Sequence, residues 1–305
     1  MNVLVSTIIT THNRLDLLKR AVESVISQSY PRIEIIIVDD ASDDGTKEWC
    51  GNLVKENKSH RNIRFINIPK NKSRGGNYAR NLGIGASNGD LVAFLDDDDV
   101  WLPEKIARQV EVMDTTNCGV VYGGRIVEMM QPDGEAKYIQ STLNPEYQGD
   151  VSRKILTAIF TTTSLILVRK HLLVAVGLFD ENLKFWQEYE LMIRLAQITD
   201  FRYANMPLIW YRVDYKDSAR LTNKYDGWRM AVSYVHQKHR DLYRKLSFNQ
   251  HLKSKALVWE DASNRCKAAG MNKKAKYFRT LYNSWRIYNA LSDGSIFRKI
   301  KNRIK

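Results

Sequence analysis

Four consecutive acids, Asp96-Asp97-Asp98-Asp99, stand directly behind the apolar run Leu91-Val92-Ala93-Phe94-Leu95. Carboxylates crowded in this way repel one another and call for a cation, most simply a hard divalent ion that prefers oxygen ligands. The solvated alternative is an acidic turn ahead of the helix start at Leu102-Pro103-Glu104. A second acidic pair, Asp39-Asp40, ends the run Ile33-Glu34-Ile35-Ile36-Ile37-Val38, and Thr10-Thr11-His12-Asn13-Arg14 ends the run that begins at Val5. If these runs are parallel strands, all three polar clusters share the carboxyl edge of one sheet, where open α/β sheets bind ligands.

The elements needed to place them there can be read from periodicity. Strands are expected at Val5–Thr10, Ile33–Val38, Ile63–Ile66 and Leu91–Leu95, with helices at Leu15–Gln28, from the Ser42–Gly45 turn to about Lys58, and at Asn77–Ala86. This βαβα order argues for a mostly parallel sheet flanked by helices. Residues 101–215 are less regular. They predict a helix at Glu104–Thr115, strands at Val120–Tyr122, Thr161–Val168 and Pro207–Val213, a loop or hairpin over Gln131–Asp150, and a short helix at Glu188–Gln197. Beyond Asp217 helical spacing dominates, with an αα-hairpin turn at Ala269-Gly270-Met271-Asn272.

A P-loop is excluded because no Gly-x4-Gly-Lys-Ser/Thr is present. A dinucleotide fingerprint is excluded because the first turn, Thr11–Arg14, has no glycine. Five segments in order carry a resemblance instead: Ser6–Arg14, Val38–Thr46, Arg74–Gly83, the acidic run, and Gln187-Glu188-Tyr189-Glu190-Leu191-Met192-Ile193-Arg194. Across residues 1–215 the chain resembles a family 2 inverting glycosyltransferase of the GT-A fold. The resemblance implies a nucleotide-binding and catalytic domain over 1–215, followed by a helical C-terminal region over 216–305. It also implies a UDP-sugar donor, with UDP-Glc or UDP-Gal leading.

The implied roles fall on numbered residues. Asp40 resembles the acid that reads uracil, framed by Thr10 and Arg74; Asp97 would hold the ribose, and Asp96 and Asp98 match the metal-binding Asp-x-Asp. Any neighbouring pair within Asp96–Asp99 can serve by spacing alone. Arg80 would orient the acidic run or the diphosphate. A Mn²⁺ or Mg²⁺ ion would act as Lewis acid for the leaving diphosphate. Glu188 aligns with the catalytic base, although the usual Glu-Asp pair here reads Gln187-Glu188. Glu190 is the alternative base, and Asp214 stands where a further metal ligand is often a histidine. The six histidines have no evident role.

The chain has 305 residues and a net charge of +13. Residues 240–305 contain 17 basic and 4 acidic residues, so this tail carries the whole excess. Such asymmetry implies a polyanionic partner. In the last segment Ile296, Phe297, Ile300 and Ile304 share a helical face beside Arg298, Lys299, Lys301, Arg303 and Lys305, the pattern of a helix lying on an anionic membrane. No stretch approaches the ~20 apolar residues of a membrane span, no basic leader precedes the first strand, and three scattered cysteines suit a reducing compartment. The combined expectation is a peripheral enzyme at the cytoplasmic face of the inner membrane. The resemblance implies that it extends a GlcNAc-type sugar, or a short oligosaccharide, linked to undecaprenyl diphosphate, forming a β1,3 linkage and building O-antigen or a similar surface polysaccharide. Two rivals are a nucleotidyltransferase, which lacks its lysine-bearing glycine loop here, and a non-catalytic nucleic-acid binder, whose phosphates the acids would repel.

Overall fold

A computed structural model describes residues 3–56, 61–130, 136–213 and 224–292. The chain divides into two compact units, one of Met1–Ser152 with Phe160–Asp214, the other of Arg153–Ile159 with Tyr215–Lys305.

The first unit is built on a mixed sheet of nine strands among the described residues: β1 (Val5–Thr11), β2 (Ile33–Asp40), β3 (Asn62–Ile68), β4 (Leu91–Asp96), β5 (Val100–Trp101), β6 (Val120–Met130), β7 (Ala136–Gln140), β8 (Leu167–Arg169) and β9 (Phe201–Val213). Their order is β3-β2-β1-β4-β8-β6-β9-β5, with β7 added to β6. The first four are mutually parallel, β8 runs against β4 and β6, and β9 runs parallel to β6. β2 is buried at all eight positions, which is why it reads as an uninterrupted apolar run rather than an alternating one.

The helices are α1 (Leu15–Ile26), α2 (Thr46–Lys55), α3 (Gly76–Ala86), α4 (Lys105–Thr116), α5 (Lys170–Ala175) and α6 (Gln187–Leu195). α1 turns Leu18, Ala21, Val22 and Val25 into the core, the spacing of a single helical face. α3 approaches β1 so closely that a Cβ on Gly83 would lie 2.5 Å from Ile8 Cγ2. That close fit brings the α3 side chains down onto the strand ends. At the opposite edge Glu34 is buried, accepting from the Ser6 hydroxyl at 2.5 Å and the Asn88 amide nitrogens, and pairing with Arg64. Burial alone would raise its pKa, but these hydrogen bonds and the Arg64 charge outweigh it and hold the carboxyl below its ordinary range.

Two expectations need correction. Thr161–Val168 is not one strand: Thr163–Leu165 forms a 3₁₀ turn and only Leu167–Arg169 pairs. The turn is held because the Ser164 hydroxyl accepts from the Asp96 backbone N–H and its carbonyl accepts from the Trp101 indole. The strands expected at Val120–Tyr122 and Pro207–Val213 are longer, and pair with each other through register shifts at Gly123 and Gly124.

The second unit contains α7 (Tyr225–Lys238), α8 (Arg240–Arg244), α9 (Phe248–Ala268) and α10 (Asn272–Ser292). α9 starts with a capping box between Ser247 and Gln250. It is joined to α10 at the expected hairpin turn, where Gly270 has φ +72°, and Ser263 donates to the Ala275 carbonyl across the pair. The sequence assigns Arg153–Ile159 to the first unit; in the structure it clusters with these helices, where its 3₁₀ turn meets α9. The segment holding Phe297, Arg298, Lys299 and Lys301, and Asp214 as well, lies outside the described residues. Among the described residues no helix is long and apolar enough to cross a membrane.

Candidate active site

Register places the polar clusters side by side. Thr10 is level with Val38 on one side and Asp96 on the other, and Thr11 with Asp39. The loops beyond are sewn together: Asn13 Oδ1 accepts from the Asp43 N–H, the Ser42 hydroxyl accepts from the Asn13 N–H, and Asp44 caps Leu15 at the start of α1. Asn13 and Ala41, both non-glycine, take positive φ of 53° and 65°. Left-handed backbone costs on the order of 1 kcal/mol or more at such residues and clusters at functional edges.

The two acids at the end of β2 have different tasks. Asp39 spends both oxygens on structure, accepting from the Ser42 N–H and hydroxyl and from the Asn67 amide. Asp40 is 7% exposed. Its Oδ2 accepts from the Gly75 N–H at 2.9 Å, whereas its buried Oδ1 has no hydrogen-bond partner among the described residues. A buried carboxylate oxygen left open is costly unless a ligand donor fills it. Gly75 reaches this carboxylate with φ +93°, which disfavours any side chain there.

The acidic run is held by two arginines. Arg80 is 6% exposed and donates to Asp96 at 2.7 Å and Asn77 at 3.2 Å. With the Gln187 amide oriented to satisfy both its atoms, its oxygen accepts from Arg80 at 3.1 Å and its nitrogen donates to the Lys184 carbonyl. Arg80 therefore links the end of β4 to the first turn of α6, which carries Glu188. Gln187 also explains its own presence: a neutral amide keeps the hydrogen bond to Arg80 without adding a carboxylate. Asn77 clamps the same region by donating to the Asp180 and Leu183 carbonyls.

Arg14, which the sequence left without a role, pairs with Asp97 at 3.2 Å and Asp98 at 3.5 Å. Asp97 also accepts from Thr11 at 2.8 Å. Burial raises the Asp97 pKa to about 6 despite Arg14, with the neighbouring Asp98 and Asp96 charges adding to the rise. Asp98 is more open, its side chain 26% exposed. Arg74 lies on the surface, paired with Glu181 at 2.9 Å and stacked over Tyr78, while Asp40 takes only the backbone N–H of Gly75 next to it. Arg14 and Asn77 stand inside the segments that carry the resemblance but act through contacts distant in sequence, and Glu181 lies outside every such segment.

Among the described residues no cluster of three His, Cys, Asp or Glu groups stands ready to hold a metal. The donor chemistry still fits Mg²⁺ or Mn²⁺, which bind through one or two carboxylates and take remaining ligands from substrate phosphates. Asp96 and Asp98 would supply the hard oxygens, Asp96 now paired with Arg80 and Asp98 with Arg14.

Glu188 is half-buried at the start of α6, behind Trp186 in a left-handed conformation. Glu190 is a different case. It is fully buried and chelates Arg194 through both carboxylate oxygens, the shortest contact 2.7 Å. Arg194 in turn donates to the Val176 carbonyl. Removing one partner of such a pair strands the other charge. Glu190→Gln should therefore lower unfolding free energy by about 3 kcal/mol, read by denaturant titration, while the folded variant keeps wild-type-order turnover. A dead but fully stable variant would instead make Glu190 the base.

Similarity to solved structures agrees on the fold. Staphylococcus aureus TarS, residues 1–349, in complex with UDP-GlcNAc superposes with a TM-score of 0.58 at 17% identity, covering 93% of this chain and 91% of that 1–349 chain. The fold is that of the GT-A glycosyltransferases. Residues 6–174 match the model of glycosyl transferase family 2, and the chain belongs to that family.

Among relatives, an uncharacterized glycosyltransferase of Nostoc sp. is 32% identical over 68% of this chain and 64% of its own length. The Escherichia coli UDP-Glc:alpha-D-GlcNAc-diphosphoundecaprenol beta-1,3-glucosyltransferase WfaP is 38% identical over 41% of this chain and 47% of its own. The Campylobacter jejuni GalNAc(5)-diNAcBac-PP-undecaprenol beta-1,3-glucosyltransferase is 29% identical over 75% and 71%. The matched segment thus spans less than two thirds of the first two relatives.

Proposed function

We propose that this protein transfers a hexose, with inversion, from a UDP-sugar to a sugar carried on a lipid diphosphate, as a step in building a bacterial surface polysaccharide. UDP-Glc and UDP-Gal are the leading donors, GlcNAc-diphosphate-lipid the leading acceptor, and β1,3 the leading linkage. The name of the Escherichia coli relative supports UDP-Glc, the GlcNAc-diphosphate-lipid acceptor and the β1,3 linkage, and that of the Campylobacter jejuni relative supports β1,3 glucosyl transfer to an undecaprenol-linked sugar. The observation that carries the reading is the buried, open Oδ1 of Asp40 on the same edge as the acidic run. A carboxylate oxygen there accepts a hydrogen bond from the N3–H of uracil, a donor that cytosine lacks at that position.

The residues divide the work. Asp40 selects the base, with Thr10 and Arg74 framing it. Asp97 holds the ribose hydroxyls. Asp98, with Asp96, would hold the divalent ion, which when bound stabilises the charge developing on the departing diphosphate. Arg80 fixes Asp96 and, through Gln187, the start of α6. Glu188 takes the proton from the acceptor hydroxyl as it attacks the anomeric carbon. Calorimetry tests the base assignment. UDP should bind more tightly than CDP, and Asp40→Asn should cost UDP at least tenfold, since a carboxylate acceptor contributes about 1.5–3 kcal/mol. Equal affinity of wild-type protein for UDP and CDP would refute it.

The acceptor lipid requires work at a membrane surface. α10 carries Lys273, Lys274, Lys276, Arg279 and Arg286 and no acid, and each basic residue near an anionic surface adds about 1 kcal/mol, weakened by salt. The full chain should therefore co-sediment with anionic vesicles at low salt and detach at high salt. Absence of binding at low salt ends the membrane reading.

A further inference from the structure

Among the described residues of the first unit, only two Phe, Tyr or Trp side chains are exposed, and they touch each other. Tyr138 on β7 is 57% exposed and Trp210 on β9 is 36% exposed; their rings meet edge to face at 5.5 Å and 80°. They flank β6, which pairs Glu128 with Tyr138 and Ile126 with both Gln140 and Trp210. Paired positions present their side chains to one face of a sheet, so Glu128, Gln140, Tyr138 and Trp210 share a surface. The Tyr138 hydroxyl lies 3.5 Å from Glu128.

This surface borders the catalytic edge. Trp210 is level with Val100, the residue that follows Asp99, and the next pair sets Trp101 against Ile209. Trp101 and Ile209 go into the core, 2% and 0% exposed, whereas Val100 and Trp210 stay on the open face.

We propose that Tyr138 and Trp210 form a platform on which a pyranose ring of the saccharide acceptor stacks, with Glu128 and Gln140 as hydrogen-bonding partners for its hydroxyls. The proposal rests on the glycosyl-transfer reading above and extends it to the acceptor. A pyranose with mainly equatorial substituents turns its axial C–H bonds to one face. Those slightly positive hydrogens suit the negative π face of an aromatic ring, and the hydroxyls around the rim suit polar neighbours. The edge-to-face arrangement orients the two rings and leaves surface open for such contact. Sequence distance hides the pair, since 72 positions separate its members and β6 joins them.

The test labels the seven tryptophans with 5-fluorotryptophan and assigns the Trp210 ¹⁹F resonance by Trp210→Phe. Methyl β-N-acetylglucosaminide and GlcNAc-α-diphosphate should shift that resonance, and UDP should not. In steady-state assays with a short-chain GlcNAc-diphosphate acceptor, Trp210→Ala and Tyr138→Ala should raise acceptor KM about tenfold with UDP affinity unchanged, and Trp210→Phe should recover part of the loss. Protein that binds UDP while none of the saccharide probes moves the Trp210 resonance overturns the platform. So do variants that lose UDP and acceptor affinity in parallel. Protein that fails to bind UDP yet shows the saccharide-induced shift overturns the donor reading and leaves the platform standing.

Discussion

Asp98→Ala is expected to lower sugar transfer by about a thousandfold, with the folded structure retained. The magnitude follows from losing about 4 kcal/mol of transition-state charge stabilisation, the scale on which a Lewis-acid cation acts on a leaving diphosphate. Stability should survive because Asp98 sits at an open position beyond β4, and because deleting one of four adjacent carboxylates relieves repulsion. Arg14 retains Asp97 as its partner. Turnover with and without added Mn²⁺ measures the effect, and thermal melting confirms the fold. Near-wild-type turnover would remove Asp98 from the metal site. Chelation by EDTA should inactivate the wild-type enzyme, and Mn²⁺ or Mg²⁺ should restore it.

Glu188→Gln is expected to keep donor affinity and lose turnover by about 10²–10⁴-fold, the usual contribution of a general base. Glutamine preserves the shape of the side chain and its place in the first turn of α6, but it cannot accept the proton of the acceptor hydroxyl. UDP affinity by calorimetry and kcat at saturating acceptor separate the two effects. A parallel loss of both would mark Glu188 as a residue that shapes the site. Together with Glu190→Gln, the variant distinguishes two carboxylates two positions apart. Glu190 is sequestered by Arg194 in the interior, and Glu188 is half-buried beside the Gln187–Arg80 link.

The parts of this arrangement legible in the sequence are those with local causes. β1, β2 and β4 are parallel strands covered on both faces, so they appear as apolar runs, and the acids follow directly behind them. Their shared carboxyl edge follows from their relative direction, which the helices between them dictate. β6 and β9 were less legible because Gly123-Gly124 and Asn205-Met206-Pro207 interrupt the patterns of the two strands they join, and their pairing tolerates those breaks by shifting register. The segment at Thr161–Val168 misled because β-branched residues favour strands in general, whereas here Ser164 holds a turn by serving Asp96 and Trp101. The arginines divide in the same way. Arg80 was marked by its motif, but Arg14 acquires a role only once folding brings it to residues 83 and 84 positions away.

The central claim, transfer of a hexose from a UDP-sugar, is tested most directly by turnover with a panel of radiolabelled nucleotide sugars. UDP-Glc, UDP-Gal, UDP-GlcNAc, GDP-mannose and ADP-glucose would each be offered with a short-chain GlcNAc-diphosphate acceptor, with and without Mn²⁺. Label is expected to move to the acceptor from one of the UDP-hexoses, only with the divalent ion, and to be lost in Asp98→Ala and Glu188→Gln. Transfer from GDP-mannose or ADP-glucose in preference to every UDP-sugar, or equal transfer by the two variants, would contradict it.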